Sequence, residues 1–338
     1  MMSNKCKVAI IGFGLIGKQR FRAIQSLITE GMPIELLGIF DPASPDVPTD
    51  VSLPELLSLE PDLILVATPH DVAVDLVPQL LATNANVFVE KPLGRNLNEL
   101  NSLIALNPSE DRLFVGFNYP YFEGVRALKE DLQSSRFGPI SRISLSLGHG
   151  GAPGDEKSWK LNPTRAGGGC LLDPGIHLFD LVCYLTGEIP VVDFCKVSAT
   201  FWKTGIEETA TVTLHTENIP IINVELSIVQ WRSDFSIRAE GRDGYGIVSG
   251  RGKSYGPQNY VRGKRWSWLN EKSQRENEES VVTSNCENSF TDELRDLIAN
   301  AAMSPAINSL TRMANSMRIV EKCMLAAKLQ SLSTALRD

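Results

Sequence analysis

The chain has little of what metal centres, disulfide scaffolds, nucleic-acid binders and membrane proteins need. Only four histidines occur in 338 residues, His70, His149, His177 and His215, and they form no spaced ligand motif. A metal-dependent hydrolase is therefore a poor reading, and no metal site is expected. The six cysteines, Cys6, Cys170, Cys183, Cys195, Cys286 and Cys323, include no CxxC pair. In a chain this long they read as reduced thiols with structural or incidental roles. Positive charge is not in excess: the formal net charge is -7. Nucleic acid as the main partner gains no support from that balance. No apolar run approaches membrane-spanning length. The opening MMSNKCK leads straight into a strand pattern without a secretory core. Together these features predict a cytoplasmic protein with neither membrane nor nucleic acid as partner.

What is present is ample for a core. Apolar residues make up 43% of the chain, enough for one large domain or two ordinary ones. The first third alternates short apolar runs with amphipathic stretches. KVAII, IELLGIF, PDLILVATP, NVFVEKP and RLFVGF read as strands. Helices are expected from about Leu15 to Ile28, after Thr68-Pro69, and from near Asn96, where Asn96 and Glu99 have capping-box spacing. This rhythm predicts a parallel sheet covered on both faces, in a first domain over residues 1–119.

The glycines of GFGLIG, Gly12, Gly14 and Gly17, follow the first strand and open a helix. The spacing alone is weak, but its place gives it a mechanism. Gly12 permits the tight turn, Gly14 lets pyrophosphate approach the helix N-terminus, and Gly17 allows close packing. Phe13, Leu15 and Ile16 complete the loop. Asp41 ends the second strand, where its carboxylate can face the adenosine ribose. It would repel a 2'-phosphate, and Pro42, Ala43 and Ser44 bring no arginine, so NAD is preferred over NADP. Asp41 as an ordinary turn residue is the bland alternative. Thr68, Pro69, His70 and Glu90 are further cofactor-side candidates.

After Asn118 the rhythm changes. A helix in YFEGVRALKEDLQSS precedes a strand in FGPISRISLSLG. A glycine-rich stretch runs from Gly148 to Gly169, and a helix follows from Pro174 to about Leu185, closed by Gly187. VDFCKVSATFW, ETATVTLHT, PIINVELSIVQW and FSIRAEG alternate as strands of a mostly antiparallel sheet. Helices are expected in FTDELRDLIANAAM and from Ser309 to about Leu332. The fold class is thus α/β. Residues 120–338 form a second domain with a large, mostly antiparallel open sheet, used for substrate binding and oligomerisation. Its C-terminal helices could pack back on the first domain.

The segment GGGCLLDPGIHLFDLVCYLTG concentrates chemistry. Asp173 suits an N-cap and Pro174 the first helical position. Four residues separate Asp173 from His177, so the carboxylate could orient the imidazole for moving an alcohol proton. A satisfied structural histidine is the plain alternative. Asp180, three residues on, either supports that site or pairs on the surface. Cys170 reads as packing. Lys91 closes the strand NVFVE at the ligand edge of a parallel sheet, where its ammonium could stabilise alkoxide character. A trans Lys91-Pro92 bond is the default, with a cis bond as the alternative. The stretch 251–268 interleaves Arg251, Lys253, Arg262, Lys264 and Arg265 with Tyr255, Tyr260, Trp266 and Trp268. It reads as a solvated loop or subunit contact, or as a loop over an anionic or sugar-containing substrate. The following EKSQRENEES should face solvent.

GFGLIG, EKPLG, VGFN, FGPI and GGGCLLDPGIHLFDLVCYLTG together resemble the glucose-fructose oxidoreductase, inositol dehydrogenase and rhizopine-catabolism family. The resemblance spans the nucleotide domain and the first half of the second. It implies an N-terminal Rossmann domain, a C-terminal α/β domain with a large open sheet, and nicotinamide-dependent oxidation or reduction of a sugar, cyclitol or sugar derivative, in a homodimer or homotetramer. By that resemblance Lys91, Asp173 and His177 carry catalysis, Asn118 faces nicotinamide, and Tyr119 and Asp180 join Lys91, Asp173 and His177 in holding substrate. Two departures stand out. Ala73 fills the histidine position of the family's TPxxxH pattern, and Pro120 replaces a usual arginine. The rival readings are a noncatalytic dinucleotide-binding regulator and an enzyme that recycles a tightly bound NAD(H).

Overall fold

The computed structural model describes residues 5–44, 47–48, 51–106, 112–266, 269, 278–300 and 310–335. Two compact units emerge. The first comprises residues 1–118, 165–167 and 288–314, and the second the remainder.

The first unit is a five-stranded parallel sheet. Its strands are β1 (Cys6–Ile11), β2 (Ile34–Phe40), β3 (Leu63–Val66), β4 (Asn86–Glu90) and β5 (Leu113–Gly116). Their order is β2-β1-β3-β4-β5. Helices α1 (Leu15–Thr29), α2 (Leu53–Ser58), α3 (His70–Leu81) and α4 (Leu97–Ala105) lie in the connections. The LILV of β3 is buried throughout, as expected of a strand covered on both faces. Strand order reverses beside β1, so its carboxyl end opens at the topological switch point where such sheets bind ligands.

The Asn96 side chain accepts from Glu99 N, as the sequence predicts. The Glu99 carboxylate does not return to Asn96, however. It turns to the Arg95 amide and guanidinium. A full capping box forms instead between Ser52 and Glu55 at the start of α2, a helix the sequence reading passed over. At only six residues it leaves too little periodicity to detect.

The second unit contains α5 (Glu123–Gln133), β6 (Ile140–Gly148), the short α6 (Pro163–Ala166, whose last two residues cluster with the first unit), and α7 (Gly175–Thr186). Strands β7 (Val191–Ser198), β8 (Thr209–His215), β9 (Ile222–Ser227), β10 (Asp234–Gly241), β11 (Gly244–Ser249), β12 (Gln258–Lys264) and β13 (Glu279–Ser284) follow. They build an eight-stranded sheet, ordered β13-β12-β11-β10-β6-β9-β8-β7. Only the β6–β9 pair is parallel. Burial alternates along β8, with Ala210, Val212 and Leu214 inside and threonines between them. One face therefore packs, on α5 and α7 among others, and the other is half-exposed.

Three expectations need correction here. Strands β11 to β13 extend the sheet beyond the four strands read from sequence after β6. Much of the basic 251–265 stretch is therefore not a loop, because Gln258–Lys264 is β12. Helix α7 starts at Gly175, with Pro174 before it and no side-chain cap, so Asp173 is not the N-cap. Lys91-Pro92 is cis rather than trans, as is Asp173-Pro174. Trp268, residues 271–277 of the charged stretch, residues 301–303 and Ser309 lie outside the described residues.

The chain ends in α8 (Ser289–Asn300) and α9 (Leu310–Ala335). Helix α8 packs on α1, with Leu294 and Leu297 joining the core of Val8, Ile10, Ile24 and Leu27. Among the described residues no helix is long and apolar enough to cross a membrane.

Candidate active site

In the first unit the glycine loop has a stringent shape. A Cβ on Gly17 would stand 2.0 Å from the Gly12 carbonyl oxygen, and one on Gly12 would stand 2.5 Å from the Ala67 oxygen. Gly12 also sits at φ +92°, in the left-handed region. Gly14 differs: a Cβ there would meet nothing within 4 Å. Packing within the protein thus requires glycine at 12 and 17, whereas Gly14 borders open space at the start of α1. No side chain caps that helix, and no acidic residue lies in its first turn. This is the donor set and the clearance that a pyrophosphate needs. Phe13 is buried against Phe21, Leu15 is exposed, and Ile16 is half-buried.

Asp41 follows β2. Its Oδ2 accepts from Phe13 N at 2.6 Å and its Oδ1 from Ala43 N at 2.8 Å. The carboxylate holds the glycine loop and its own turn together. Thr68 and Pro69 follow β3, and Thr68 packs toward Gly12. His70 opens α3, with Nδ1 2.9 Å from the Ala166 carbonyl oxygen, while Arg165 pairs with Asp71 at 2.8 Å. Lys91 stands one residue past the end of β4, half-buried. Asn118 is buried and donates to Ser289 Oγ at 3.1 Å.

Glu90 leads to a group the sequence reading did not single out. Arg20 of α1, 1% exposed, reaches Glu90 at 2.6 Å and Glu293 of α8 at 2.6 Å. Its guanidinium lies between the rings of Phe88 (4.6 Å) and Phe290 (4.7 Å). Burial pushes the Glu293 carboxyl up to about 7, against the pull of Arg20. An arginine inside an amphipathic helix ordinarily reads as its wet face, so only the packed structure reveals this cluster.

In the second unit His177 lies in the first turn of α7, 7% exposed. The Tyr119 ring stacks on its imidazole, with centroids 3.8 Å apart and planes 3° from parallel. Phe122 and Phe235 pack on Tyr119 in turn, and burial pushes its phenol up. Asp173 accepts from Lys160 Nζ at 2.9 Å. That carboxylate holds the Lys160 ammonium above its usual range. Lys160 comes from a short 3₁₀ turn in the glycine-rich stretch, where no periodic pattern marks it. Asp180, only 1% exposed, is not the surface residue that was one of its two readings. Burial raises the Cys170 thiol well above its ordinary value, which suits packing and not a nucleophile.

The basic stretch divides by role. Arg262 of β12 pairs with Asp131 at 2.9 Å and Glu279 at 2.8 Å, so it ties α5 to β12 and β13. Arg251 instead lies over Tyr255, 3.7 Å from the ring centroid, and over Tyr119 at 5.4 Å.

Two family models match the chain. The one described as "Oxidoreductase family, NAD-binding Rossmann fold" covers residues 6–117, and the "GFO/IDH/MocA C-terminal domain" covers residues 125–246. The chain belongs to the GFO/IDH/MocA family. Its first unit is that family's NAD-binding Rossmann domain. Inositol 2-dehydrogenase of Rhizobium meliloti (strain 1021) is 22% identical over 193 residues, 55% of this chain and 56% of that protein. The chain spans about half the length of the curated relatives it matches. Solved structures match over more of the chain. An oxidoreductase domain protein from Kribbella flavida superposes with a TM-score of 0.80 at 17% identity, over 97% of this chain and 98% of that one. An inositol dehydrogenase homolog from Azotobacter vinelandii, solved with NAD+, gives 0.76 at 16% identity, over 96% of each chain.

Proposed function

We propose that this protein is an NAD-dependent oxidoreductase that interconverts a secondary hydroxyl and a carbonyl on a sugar, cyclitol or related polyol. The observation that carries the reading is the glycine loop. Its two packed glycines and its one open glycine reserve the start of α1 for a phosphate group, in a domain of a nicotinamide-using family. Gly12, Phe13, Gly14, Leu15, Ile16 and Gly17 would hold the pyrophosphate, with Asp41 on the adenosine ribose. Thr68, Pro69, His70, Glu90, Lys91 and Asn118 would line the nicotinamide side. The Asp41 carboxylate favours NAD over NADP. When bound, NAD supplies a hydride acceptor at its nicotinamide ring.

The chain's own groups handle the proton and the charge. His177 takes the hydroxyl proton as general base, and its plane is fixed by the Tyr119 stack. Asp173, which also pairs with Lys160, orients the imidazole. Lys91 stabilises the developing alkoxide while the carbon-bound hydrogen departs with its electron pair. Asp180 and Tyr119 help shape the pocket for the polyol. In the reverse direction, the imidazolium returns the proton to the carbonyl oxygen. A homo-oligomer fits the half-exposed, threonine-rich face of the eight-stranded sheet.

Stopped-flow absorbance at 340 nm, over a panel of sugars and cyclitols with NAD and NADP, tests the reading. Lys91→Met and His177→Ala should each retain NAD binding and slow single-turnover hydride transfer by roughly 10²- to 10⁴-fold. Transfer at wild-type rates in both variants would remove these residues from the chemistry. NAD binding without turnover of any polyol would favour a regulator.

A further inference from the structure

Arg251 has no carboxylate partner among the described residues, and its Nε is buried without a hydrogen-bond partner. Its neighbours are the ring of Tyr119, the ring and hydroxyl of Tyr255, to which the guanidinium hydrogen-bonds, and the thiol of Cys286. Burial pushes the Cys286 thiol up to about 12 and raises the Tyr119 phenol, so neither supplies negative charge near neutrality. The other cations of this unit discussed above differ in this respect: Arg262 holds two carboxylates and Lys160 holds Asp173. Burial pushes the His149 imidazole below its ordinary range, against the pull of Asp173 and with Lys160 and Arg251 adding to the lowering.

The placement is built. Gly250 and Gly252 flank Arg251 at φ +76° and +81°. A Cβ on Gly250 would meet the Pro257 oxygen at 2.2 Å, and one on Gly252 would meet the Asn285 oxygen at 2.2 Å. Buried Gln258 bonds the Gly250 carbonyl at 3.3 Å and accepts from Gly124 N at 2.7 Å, which ties the turn to the start of α5. Tyr119 touches both Arg251 and His177. Laid end to end, those two distances put the guanidinium carbon and the imidazole centroid within about 9 Å. That is the scale of a single substituted sugar ring. A planar guanidinium fork held half-buried without a carboxylate is costly in a folded chain. It is also the side chain best suited to bidentate recognition of an oxyanion.

We infer that Arg251 is a specificity residue for an oxyanion, phosphate or carboxylate, carried by the polyol whose hydroxyl meets His177. The inference rests on the proposed reaction for the position of that hydroxyl, and it names the substrate class within it.

The experiment compares glucose, glucose 6-phosphate and glucuronate as probes, with wild type, Arg251→Met and Arg251→Lys. Initial rates with NAD give kcat/KM, and titration calorimetry gives binding independently of hydride transfer. The expected result is a wild-type preference for one or both anions. In Arg251→Met the anionic-to-neutral ratio of kcat/KM should fall at least roughly 30-fold, mainly through KM, with partial recovery in Arg251→Lys. Loss on the phosphate alone would assign a phosphoryl group, and loss on glucuronate alone a carboxylate. An unchanged ratio would overturn the inference. So would weakened NAD binding in Arg251→Met, which would hand the guanidinium to a cofactor phosphate. So would calorimetry showing that neither anion binds wild type more tightly than glucose. Arg251-dependent anion binding with no NAD reduction would keep the inference and defeat the oxidoreductase reading.

Discussion

Replacing Glu293 by Gln probes the buried cluster behind Lys91. The wild-type carboxyl faces Arg20 and, beyond it, Glu90, and it is fully enclosed. Burial raises it from 4.5 to about 7. The folded state therefore holds a proton that the unfolded chain releases between those values. Stability from this group is fully present below about 4.5 and is lost as pH rises through about 7. The full difference is on the order of 3 kcal/mol, with a slope of at most about 1.4 kcal/mol per pH unit. Gln cannot ionise, so Glu293→Gln should lack this fall. The assay must report on the first unit. Every tryptophan in the chain falls between Trp159 and Trp268, in the second unit's part of the sequence. Tryptophan fluorescence is therefore blind to the first unit, and hydrogen exchange of the Val8–Ile11 and Val87–Val89 amides, corrected for intrinsic rates, is the suitable readout. Between pH 5 and 8.5 the wild type should lose stability relative to the variant. Parallel pH curves would show that Arg20 keeps Glu293 ionised throughout and would refute the reasoning.

The remaining predictions concern other links in the argument. Gly17→Ala should destabilise the first unit by about 1–3 kcal/mol or more, because its Cβ would strike the Gly12 carbonyl oxygen. Gly14→Ala should leave thermal unfolding within about 2 °C of wild type yet weaken NAD binding at least tenfold by titration calorimetry, since that methyl group meets only open space in the protein. A normal NAD affinity would show that phosphate does not approach at Gly14. Arg262→Met should cost roughly 3 kcal/mol in urea unfolding followed by tryptophan fluorescence, because it removes one partner from buried Asp131. No change there would mean that Arg136 and Tyr260 suffice.

The places of the candidate residues in the fold were legible one residue at a time. Lys91 could be placed because an apolar strand ended directly before it, and β4 does end at Glu90. His177 could be placed because an apolar helix began nearby, with Gly187 to close it at φ +78°. The partners of those residues were not legible. Asp173, just before the helix, suggested a cap, yet the helix starts later, and the carboxylate accepts from Lys160, which no spacing marks. Tyr119 was placed beside the substrate through the family resemblance alone, and its stack on His177 joins residues 58 positions apart. Such pairings depend on how helices settle on sheets, and sequence spacing carries no record of that.

The sequence by itself determined the parallel nucleotide domain, the glycine loop at its head and a second, sheet-rich domain. Each of these rests on local periodicity or on a residue's own backbone freedom. Tertiary structure alone decided that β11 to β13 complete the eight-stranded sheet and that Arg20 is buried between two carboxylates. It alone also showed that, of the basic residues Arg251 and Arg262, the second is paired with carboxylates and the first, among the described residues, is not. Burial and ion pairing are properties of neighbours in space, and a linear pattern of charges cannot say which charge will find a partner.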